Sequence, residues 1–342
     1  MSTFRPERKR VVIAGMGAIS HEMAPALGRN PEIEIVAIVD KSTDALERSK
    51  SLFEGASSYV ELSEALNAVK ADAVIINTPG KVHLTDALVT LKRGLHCLVA
   101  KPLTPSIADA RVLVEKASAL RVTLCVAEQI RFNEHFSMVR KLIHEGIVGS
   151  LESVILMNSK PRPNVGSLEA SEHIALEEMA PHHFDILDSL IGEFEFVKIS
   201  ADEFNPTWSR YAGGGMINVL LSFGGRVHVM YQGGVCAQAP MYELRLEGSR
   251  GSLRCRGLHM SYGEVSYEVS EPEGSFHPLN VVGNPNGKDP WETFLPVWIR
   301  YMDGGPEPPF AGRRNLEVLE MMDAVRESVR TERSITFRRH PQ

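Results

Sequence analysis

The sequence contains few cysteines and no pattern that would pair them. Only four occur among 342 residues, at scattered positions and without a C-x-x-C pair. This spacing argues against a zinc site or a disulfide framework. Cys97 and Cys125 fall inside apolar runs and are predicted to be small core residues. The cysteine usage is typical of a reduced, cytoplasmic protein.

Long apolar runs and excess positive charge are missing as well. No apolar stretch approaches the roughly 20 residues of a membrane span, and the polar, charged N-terminus is not typical of a secretory signal. The formal net charge of −6 argues against a nucleic acid or an anionic membrane as partner. The basic run 5–10 lies beside an apolar strand and is interpreted as a solvated tail. Internal repeats and low-complexity tracts are absent from the sequence.

The first part of the chain alternates short apolar runs with helical patterns. Strands that alternate with helices of about 10–15 residues imply parallel pairing with crossovers, hence a doubly wound α/β sheet. Ligands of such sheets bind beyond the carboxyl ends of the strands. The predicted strands are 11–14, 33–39, around 59, 73–76, 96–100 and 122–126, and the predicted helices are 22–27, 43–53, 62–69, 82–93 and 107–120.

After about residue 128 the pattern changes to consecutive strands separated by glycine-rich turns. Such a succession predicts an α+β domain with a large, mostly antiparallel sheet. We therefore expect a dinucleotide-binding domain over 1–128 and a second domain over 129–342. In the second domain the predicted helices are 136–145, one ending near Gly192, and 315–330; the predicted strands are 151–157, 197–201, 216–223, 226–232, 242–246 and 265–269; and 271–289 is a long loop.

A glycine turn joins the first strand to the first helix. The order of strand, glycine turn, helix, strand and acidic residue is that of a dinucleotide-binding βαβ unit. Gly15 permits the tight turn, and Gly17 lets the backbone approach a pyrophosphate at the positive end of the helix. Asp40, after the second strand, can accept hydrogen bonds from a ribose diol, which predicts NAD, with NADP as the alternative. The helix start adds Ala18 and Ile19 to the predicted cofactor contacts.

Further polar residues follow the later strands of the same sheet. Lys101, which follows the fifth strand and precedes Pro102, can stabilise a developing alkoxide with its ammonium group. A surface lysine in a loop is the alternative interpretation. After the fourth strand, cofactor binding and helix capping are both consistent with the sequence. The residues concerned there are Asn77, Thr78, Pro79 and His83.

A second cluster of titratable residues occurs at 177–185. In a helix, Glu178, His182 and Asp185 would fall on one face, but Pro181 requires that the helix begins or kinks there. His182 is the candidate general base, since histidine titrates near neutral pH. Glu178 and Asp185 would orient it or bind substrate hydroxyls, together with His183. A metal site is disfavoured because the chain offers no further ligands.

These motifs together resemble the Gfo/Idh/MocA family, the group of glucose–fructose oxidoreductase and inositol dehydrogenase, over essentially the whole chain. That family carries a glycine-rich turn, an acidic residue after the second strand, a Glu-Lys-Pro tripeptide and an Asp-x-x-x-His-x-x-Asp pattern. The matching positions are Gly15 with Gly17, Asp40, 100–102 and 178–185. The resemblance implies a Rossmann domain joined to an open antiparallel sheet that holds substrate and commonly forms the oligomer interface. It also implies that His182, rather than His183, takes the catalytic position.

Three residues depart from the family pattern. Ser20 replaces the third glycine of the turn, and it remains small enough for close helix–strand packing. Ala100 replaces the glutamate of the tripeptide, which removes a charge beside the cofactor. Glu178 replaces aspartate, so its carboxylate reaches one methylene further and is expected to affect substrate choice more than the reaction.

The resemblance and the residues together predict an NAD(P)-dependent dehydrogenase that oxidises a secondary hydroxyl of a sugar, cyclitol or related polyol. His182 would remove the hydroxyl proton while Lys101 stabilises the alkoxide. The expected assembly is a homo-oligomer, a dimer or tetramer formed through the C-terminal sheet. Two alternatives remain: a non-catalytic NAD(P)-binding sensor, and a lyase or glycosidase that uses NAD without net redox change.

Overall fold

The structure, a computed structural model, describes residues 8–192, 194–281 and 288–339. Backbone contacts divide the chain into two units. The first comprises Met1–Gln129 and Asp289–Leu316, and the second comprises Ile130–Lys288 and Glu317–Gln342. Residues 289–316, which were expected in the second domain, belong to the first unit.

The first unit is built on a six-stranded parallel sheet with the order β3-β2-β1-β4-β5-β6. This order is that of a Rossmann fold, as predicted. The apolar runs at 11–14 and 73–76 are completely buried, as expected of strands covered on both faces. The strands are β1 (Lys9–Ala14), β2 (Ile33–Val39), β3 (Ser57–Tyr59), β4 (Ala73–Ile76), β5 (His96–Val99) and β6 (Leu124–Val126); the helices are α1 (Ala18–Arg29), α2 (Thr43–Ser49), α3 (Leu62–Ala68), α4 (His83–Lys92) and α5 (Ile107–Leu120).

The second unit is built on a nine-stranded sheet with the order β14-β13-β12-β11-β7-β10-β9-β8-β15. All neighbouring strands pair antiparallel except β7 and β10, which are parallel. The predicted mostly antiparallel sheet is thus confirmed. Its elements are α6 (Glu134–His144), β7 (Leu151–Pro161), α7 (Ile174–Glu178), α8 (Ala180–Ile191), β8 (Phe196–Phe204), β9 (Met216–Phe223), β10 (Val227–Gly234), β11 (Cys236–Gly248), β12 (Gly251–His259), β13 (Tyr262–Ser270), β14 (His277–Pro278) and β15 (Ile335–Arg338).

Two further helices follow, α9 (Pro290–Met302) and α10 (Gly312–Thr331), and short 3₁₀ helices occupy Gly80–Val82, Gln129–Phe132 and Gly166–Leu168. Helix α9 was not predicted from the sequence. Asp289 caps it by accepting a hydrogen bond from the backbone N–H of Trp291 at 3.0 Å, and Pro290 occupies its first turn, where proline is tolerated. The predicted loop 271–289 contains β14, and residues 282–287 of it lie outside the described part.

The four cysteines and the basic run can be compared with their predictions. Cys97 and Cys125 are fully buried in strands, as predicted, and burial raises the pKa of the Cys97 thiol. The solvated-tail interpretation is wrong for Lys9 and Arg10, because both lie in β1 and the Arg10 guanidinium binds the Asp72 carboxylate at 3.0 Å. The rest of the run up to residue 7 lies outside the described residues. Among described helices, none is both long and apolar enough to cross a membrane.

Candidate active site

The residues predicted to bind the cofactor gather at one edge of the parallel sheet. Neighbouring strands β2, β1, β4 and β5 run in the same direction, so their carboxyl ends share an edge. The loops after these strands begin with Asp40, Gly15, Asn77 and Ala100. Asp40 and Ala100 are 60 positions apart in the sequence, and the sheet brings them to the same edge, on strands with β1 and β4 between them.

Gly15 and Gly17 serve two different physical purposes. Gly15 has φ +93°, and a Cβ there would lie 2.5 Å from the backbone carbonyl of Asn77. Glycine is therefore required by both conformation and space. Gly17 has an ordinary extended φ and an added Cβ would meet nothing within 4 Å. The open space at Gly17 lies at the N-cap of α1, where the helix presents unpaired N–H groups and a positive dipole end.

Ser20, the residue in place of the third glycine, is more than a small packing residue. Its hydroxyl donates to the Gly15 carbonyl at 2.6 Å and accepts from the Asn77 side-chain amide at 2.8 Å. The chain of bonds ties α1 to the loop after β4 and fixes the glycine turn. The Asn77 Oδ1 atom is buried and finds no hydrogen-bond donor within the described residues. It is an acceptor that a donor on a bound dinucleotide could satisfy.

Asp40 holds the loop around the predicted ribose site. Its Oδ2 accepts from the backbone N–H of Met16 at 2.7 Å, and its Oδ1 accepts from the N–H of Ser42 at 2.8 Å. A carboxylate oxygen has two acceptor positions, so each oxygen retains capacity for a ribose hydroxyl. The residues of this sheet edge therefore fit an NAD-type dinucleotide: an open helix N-terminus for the pyrophosphate and a carboxylate for the diol.

The remaining predicted cofactor residues have mainly structural contacts in the first unit. The hydroxyl of Thr78 donates to Asp86 at 2.8 Å. His83 is buried, with Nδ1 3.0 Å from the Pro102 carbonyl and Nε2 2.7 Å from the Thr78 carbonyl. Burial lowers the pKa of His83, so the neutral ring donates to one of these carbonyls. We assign His83 a positioning role between two strand-end loops in place of a direct contact with the cofactor.

Lys101 lies on one of the loops that His83 connects. It is the second residue after β5, is half-buried, and precedes Pro102 through a cis peptide bond. Ala100 is held in the sheet by its backbone N–H, which donates to the Ile76 carbonyl at 2.8 Å. The expected placement of Lys101 at the carboxyl edge is thus observed, on a backbone fixed on its N-terminal side.

In the second unit, Pro181 separates two helices. α7 ends at Glu178, and α8 begins at Ala180 with Pro181 in its first turn. Of the two alternatives predicted from the proline, a helix start is observed. Glu178, His182 and Asp185 therefore do not share one continuous helix.

The two adjacent histidines of α8 have different surroundings. His183 is completely buried; its Nε2 lies 2.9 Å from the Asn158 amide nitrogen and its Nδ1 lies 2.6 Å from the Tyr231 hydroxyl. His182 is half-buried. Since both ring nitrogens of His183 are bonded within the protein, we assign it a structural role, which corrects the substrate-binding role predicted from the sequence.

The two carboxylates of the cluster each contact an arginine. Asp185 is buried, and its Oδ1 lies 3.0 Å from the Arg131 guanidinium, which is itself buried. This pairing anchors α8 to the segment that carries Arg131, and contact of Asp185 with substrate stays a prediction. Glu178, which is more exposed, pairs with Arg162 directly after β7. The described residues contain no group of three or more histidine, cysteine or acidic side chains placed to hold a metal ion.

Sequence reasoning missed Asn158 and Arg162. The predicted strand 151–157 ends before both, whereas the observed β7 continues to Pro161. The polar residues Asn158 and Lys160 at alternating positions beyond the apolar run were the available signal, because a strand places such residues on one face.

The sequence matches known proteins along almost its full length. An inositol 2-dehydrogenase of Rhizobium meliloti is 24% identical over 336 residues, which cover 96% of this chain and 99% of the relative. A D-apiose dehydrogenase of Paraburkholderia graminis is 23% identical over 362 residues, with coverage of 98% and 92%. A solved oxidoreductase from Agrobacterium radiobacter, in complex with NAD+, L-tartaric acid and magnesium, has the same fold: its TM-score is 0.84 at 18% identity, covering 96% of this chain and 98% of that one.

The family model described as an oxidoreductase family with an NAD-binding Rossmann fold, GFO_IDH_MocA, matches residues 9–128. Together with the sheet order and the glycine turn, this match defines an NAD(P)-dependent oxidoreductase. Residues 9–128, which make up most of the first unit, thus have the NAD-binding fold and sequence features of the Gfo/Idh/MocA family. The predicted family, the NAD(P) cofactor and the dehydrogenase class acting on CH–OH groups are confirmed.

Proposed function

We propose that the enzyme oxidises a secondary hydroxyl of a sugar, cyclitol or related polyol, with His182 as the general base. The observation that carries this proposal is the contrast within α8. His183 has both nitrogens bonded to Asn158 and Tyr231, whereas His182 is half-buried at the first turn of the helix. A general base needs a nitrogen that substrate can reach, and of this pair it is His182 that keeps part of its surface exposed.

Each other site residue has a part in the same scheme. NAD, when bound, supplies the hydride acceptor. His182 takes the hydroxyl proton, and the Lys101 ammonium stabilises the negative charge that develops on the same oxygen. Glu178, held by Arg162, binds a neighbouring hydroxyl or orients His182. Asp185 acts indirectly, since its pairing with Arg131 fixes the helix that carries the base.

The substrate class is supported by the relatives. The two curated relatives are named as dehydrogenases of inositol and of D-apiose. A cyclitol and a sugar share the vicinal secondary hydroxyls that a base, a cation and a carboxylate together can recognise. The same groups can run the reverse reduction.

NADH formation with a panel of sugars, cyclitols and glycosides tests the proposed function. We expect stoichiometric NADH and a ketone product from at least one polyol. Turnover of a glycoside without NADH accumulation would instead support the NAD-assisted lyase or glycosidase. Tight NAD binding without any turnover, unaffected by loss of either Lys101 or His182, would support the sensor.

We also propose that the nine-stranded sheet binds a second copy of the chain. On its outer face Leu220 of β9 lies directly opposite Met230 of β10, and these side chains are 57% and 54% exposed. Met230 also pairs with Ile155 of β7. Exposed apolar side chains that lie next to one another on a sheet are typical of interaction surfaces. Light scattering should give a multiple of the monomer mass, and Leu220→Glu should reduce it, whereas a monomeric wild type would contradict this proposal.

A further inference from the structure

Two basic residues follow one another at alternating positions near the end of β7. Asn158 faces α8, because its amide nitrogen lies 2.9 Å from Nε2 of His183. Lys160 and Arg162 come two and four residues later, and alternate residues of a strand share a face. The backbone N–H of Arg162 donates to the Val235 carbonyl at 2.9 Å, so extended pairing continues to that position.

Side-chain contacts place Lys160 independently on the same face. Its Nζ lies 5.1 Å from the centre of the Tyr262 ring. That ring stacks on His259 with centres 4.4 Å apart, and His259 Nε2 lies 3.3 Å from the amide nitrogen of Asn158. Lys160 is therefore connected through Tyr262 and His259 to the residue that holds His183.

Arg162 is fixed beside the α7–α8 junction. Its guanidinium pairs with Glu178, the last residue of α7, and its carbonyl accepts from the Tyr211 hydroxyl. About a third of the Arg162 side chain is exposed, at 35%. A guanidinium carries five donors, so a bond to Glu178 leaves donors for a ligand.

The electrostatic surroundings of His259 are consistent with a concentration of positive charge. Burial is the main cause that lowers the pKa of His259 to about 2, and Lys160, His183, Arg162 and His182 lower it further. These neighbours are all basic, and they include His182. The proposed general base and the two cations thus belong to one neighbourhood of the second unit.

We propose that Lys160 and Arg162 form a carboxylate-binding subsite, so that the substrate is an acidic polyol, a sugar acid or hydroxy acid. This inference rests on the proposed function, because it names the substrate class of the same site. Charge favours a carboxylate over a phosphate monoester: Lys160, Arg162 and Glu178 together carry one net positive charge, which matches a single negative charge. The carboxylate would hold the polyol while His182 takes a proton from one of its hydroxyls.

Binding to the NADH-loaded enzyme tests the subsite without requiring turnover. Calorimetric titration would compare D-galacturonate with D-galactose and D-gluconate with D-sorbitol. We expect at least one acid to bind about tenfold or more tightly than its neutral partner. Lys160→Met and Arg162→Met should each weaken the binding of that acid by roughly 10- to 100-fold, the scale of one lost charged hydrogen bond. The affinity for the neutral partner should not change. Lys160→Arg, which keeps the charge, should retain most of the preference.

Lys198→Met is the matched control, since Lys198 is an exposed lysine of β8. Its loss should not change the affinity for either ligand. Equal affinity for acids and neutral partners, a preference for D-galactose 6-phosphate over D-galacturonate, or the same loss in Lys198→Met would overturn the proposal. The two proposals fail separately. His182-dependent oxidation of neutral polyols without an acid preference would contradict only the carboxylate-binding subsite. Charge-dependent binding of acids without any NADH formation would contradict only the proposed dehydrogenase mechanism.

Discussion

The imidazole of His183 and the amide of Asn158 form a buried hydrogen bond, with 2.9 Å between Nε2 and Nδ2. Because the amide donates, Nδ1 carries the ring proton and donates to the Tyr231 hydroxyl at 2.6 Å. Consecutive residues of a helix point about 100° apart. The two side chains therefore leave the helix in different directions, and of the two only His183 is completely buried.

Loss of His183 should reduce stability. His183→Ala leaves the Asn158 amide and the Tyr231 hydroxyl without a shared partner in a buried region, which costs about 2–4 kcal/mol. Urea unfolding of the purified variant measures this change in the free energy of unfolding. His182→Ala, at a half-buried position, is the control and should change it by less than about 1 kcal/mol. Equal stability of both variants would contradict the structural assignment of His183.

Stability should fall on acidification because of buried neutral histidines. His135 lies between the hydroxyls of Tyr267 and Tyr242, at 2.7 and 2.6 Å, and burial lowers its pKa to about 3. An unfolded histidine titrates near 6.5. The stabilisation is therefore complete above pH about 6.5 and is lost as the pH falls from there towards 3. The loss in the free energy of unfolding is roughly 2 kcal/mol by pH 5.

Chemical denaturation at pH 7 and pH 5 measures that loss. His135→Gln removes the titrating group, so the variant should lose less stability between these two pH values than the wild type. Carboxylates titrate in both proteins and cancel in the comparison. The same pH dependence in both proteins would show that His135 is not held neutral by burial.

NAD should bind more tightly than NADP because of the Asp40 charge, which would repel a 2′-phosphate. Asp40→Asn removes the charge and keeps one oxygen that can accept from the Met16 or Ser42 N–H groups. The ratio of NADPH to NADH affinity should then rise about tenfold or more. Fluorescence titration with both reduced cofactors gives the ratio. Tighter binding of NADPH by the wild type, or an unchanged ratio in the variant, would refute this assignment.

Lys101 should act on the chemical step. Lys101→Met keeps the length of the side chain and removes its charge, so kcat should fall at least about 10²-fold, with a smaller effect on KM. Steady-state kinetics on a substrate found in the polyol panel provides the measurement. Lys92→Met, at an exposed position of α4, should turn over normally. Normal turnover of Lys101→Met would contradict the assignment of Lys101 as the group that stabilises the alkoxide.

The parallel half of the fold could be predicted because its signals are local. The strand at 73–76 and the helix at 107–120 were predicted with their observed bounds, since a buried parallel strand is a continuous apolar run. β12 was missed although its apolar Leu253 and Cys255 alternate with two arginines. α9 was missed because Pro290 and Pro296 suggest a break, although Pro290 only begins the helix.

The contacts of the candidate site residues could not be predicted from the sequence. Ser20 was interpreted as a small packing residue, yet its hydroxyl binds Asn77, 57 positions away. The ring of His183 is likewise held by Asn158 and Tyr231, from β7 and β10. Such bonds depend on which strands become neighbours, and no spacing along the chain encodes that information.

The rate of NADH formation by His182→Ala measures whether His182 is the general base. With the preferred polyol, the variant should turn over about 10²–10⁴-fold more slowly than the wild type, which is the contribution of a positioned general base. Its affinity for NADH and its free energy of unfolding should match those of the wild type. A rate within a few-fold of the wild type, at equal cofactor affinity, would contradict the assignment of His182 as the base and with it the proposed mechanism.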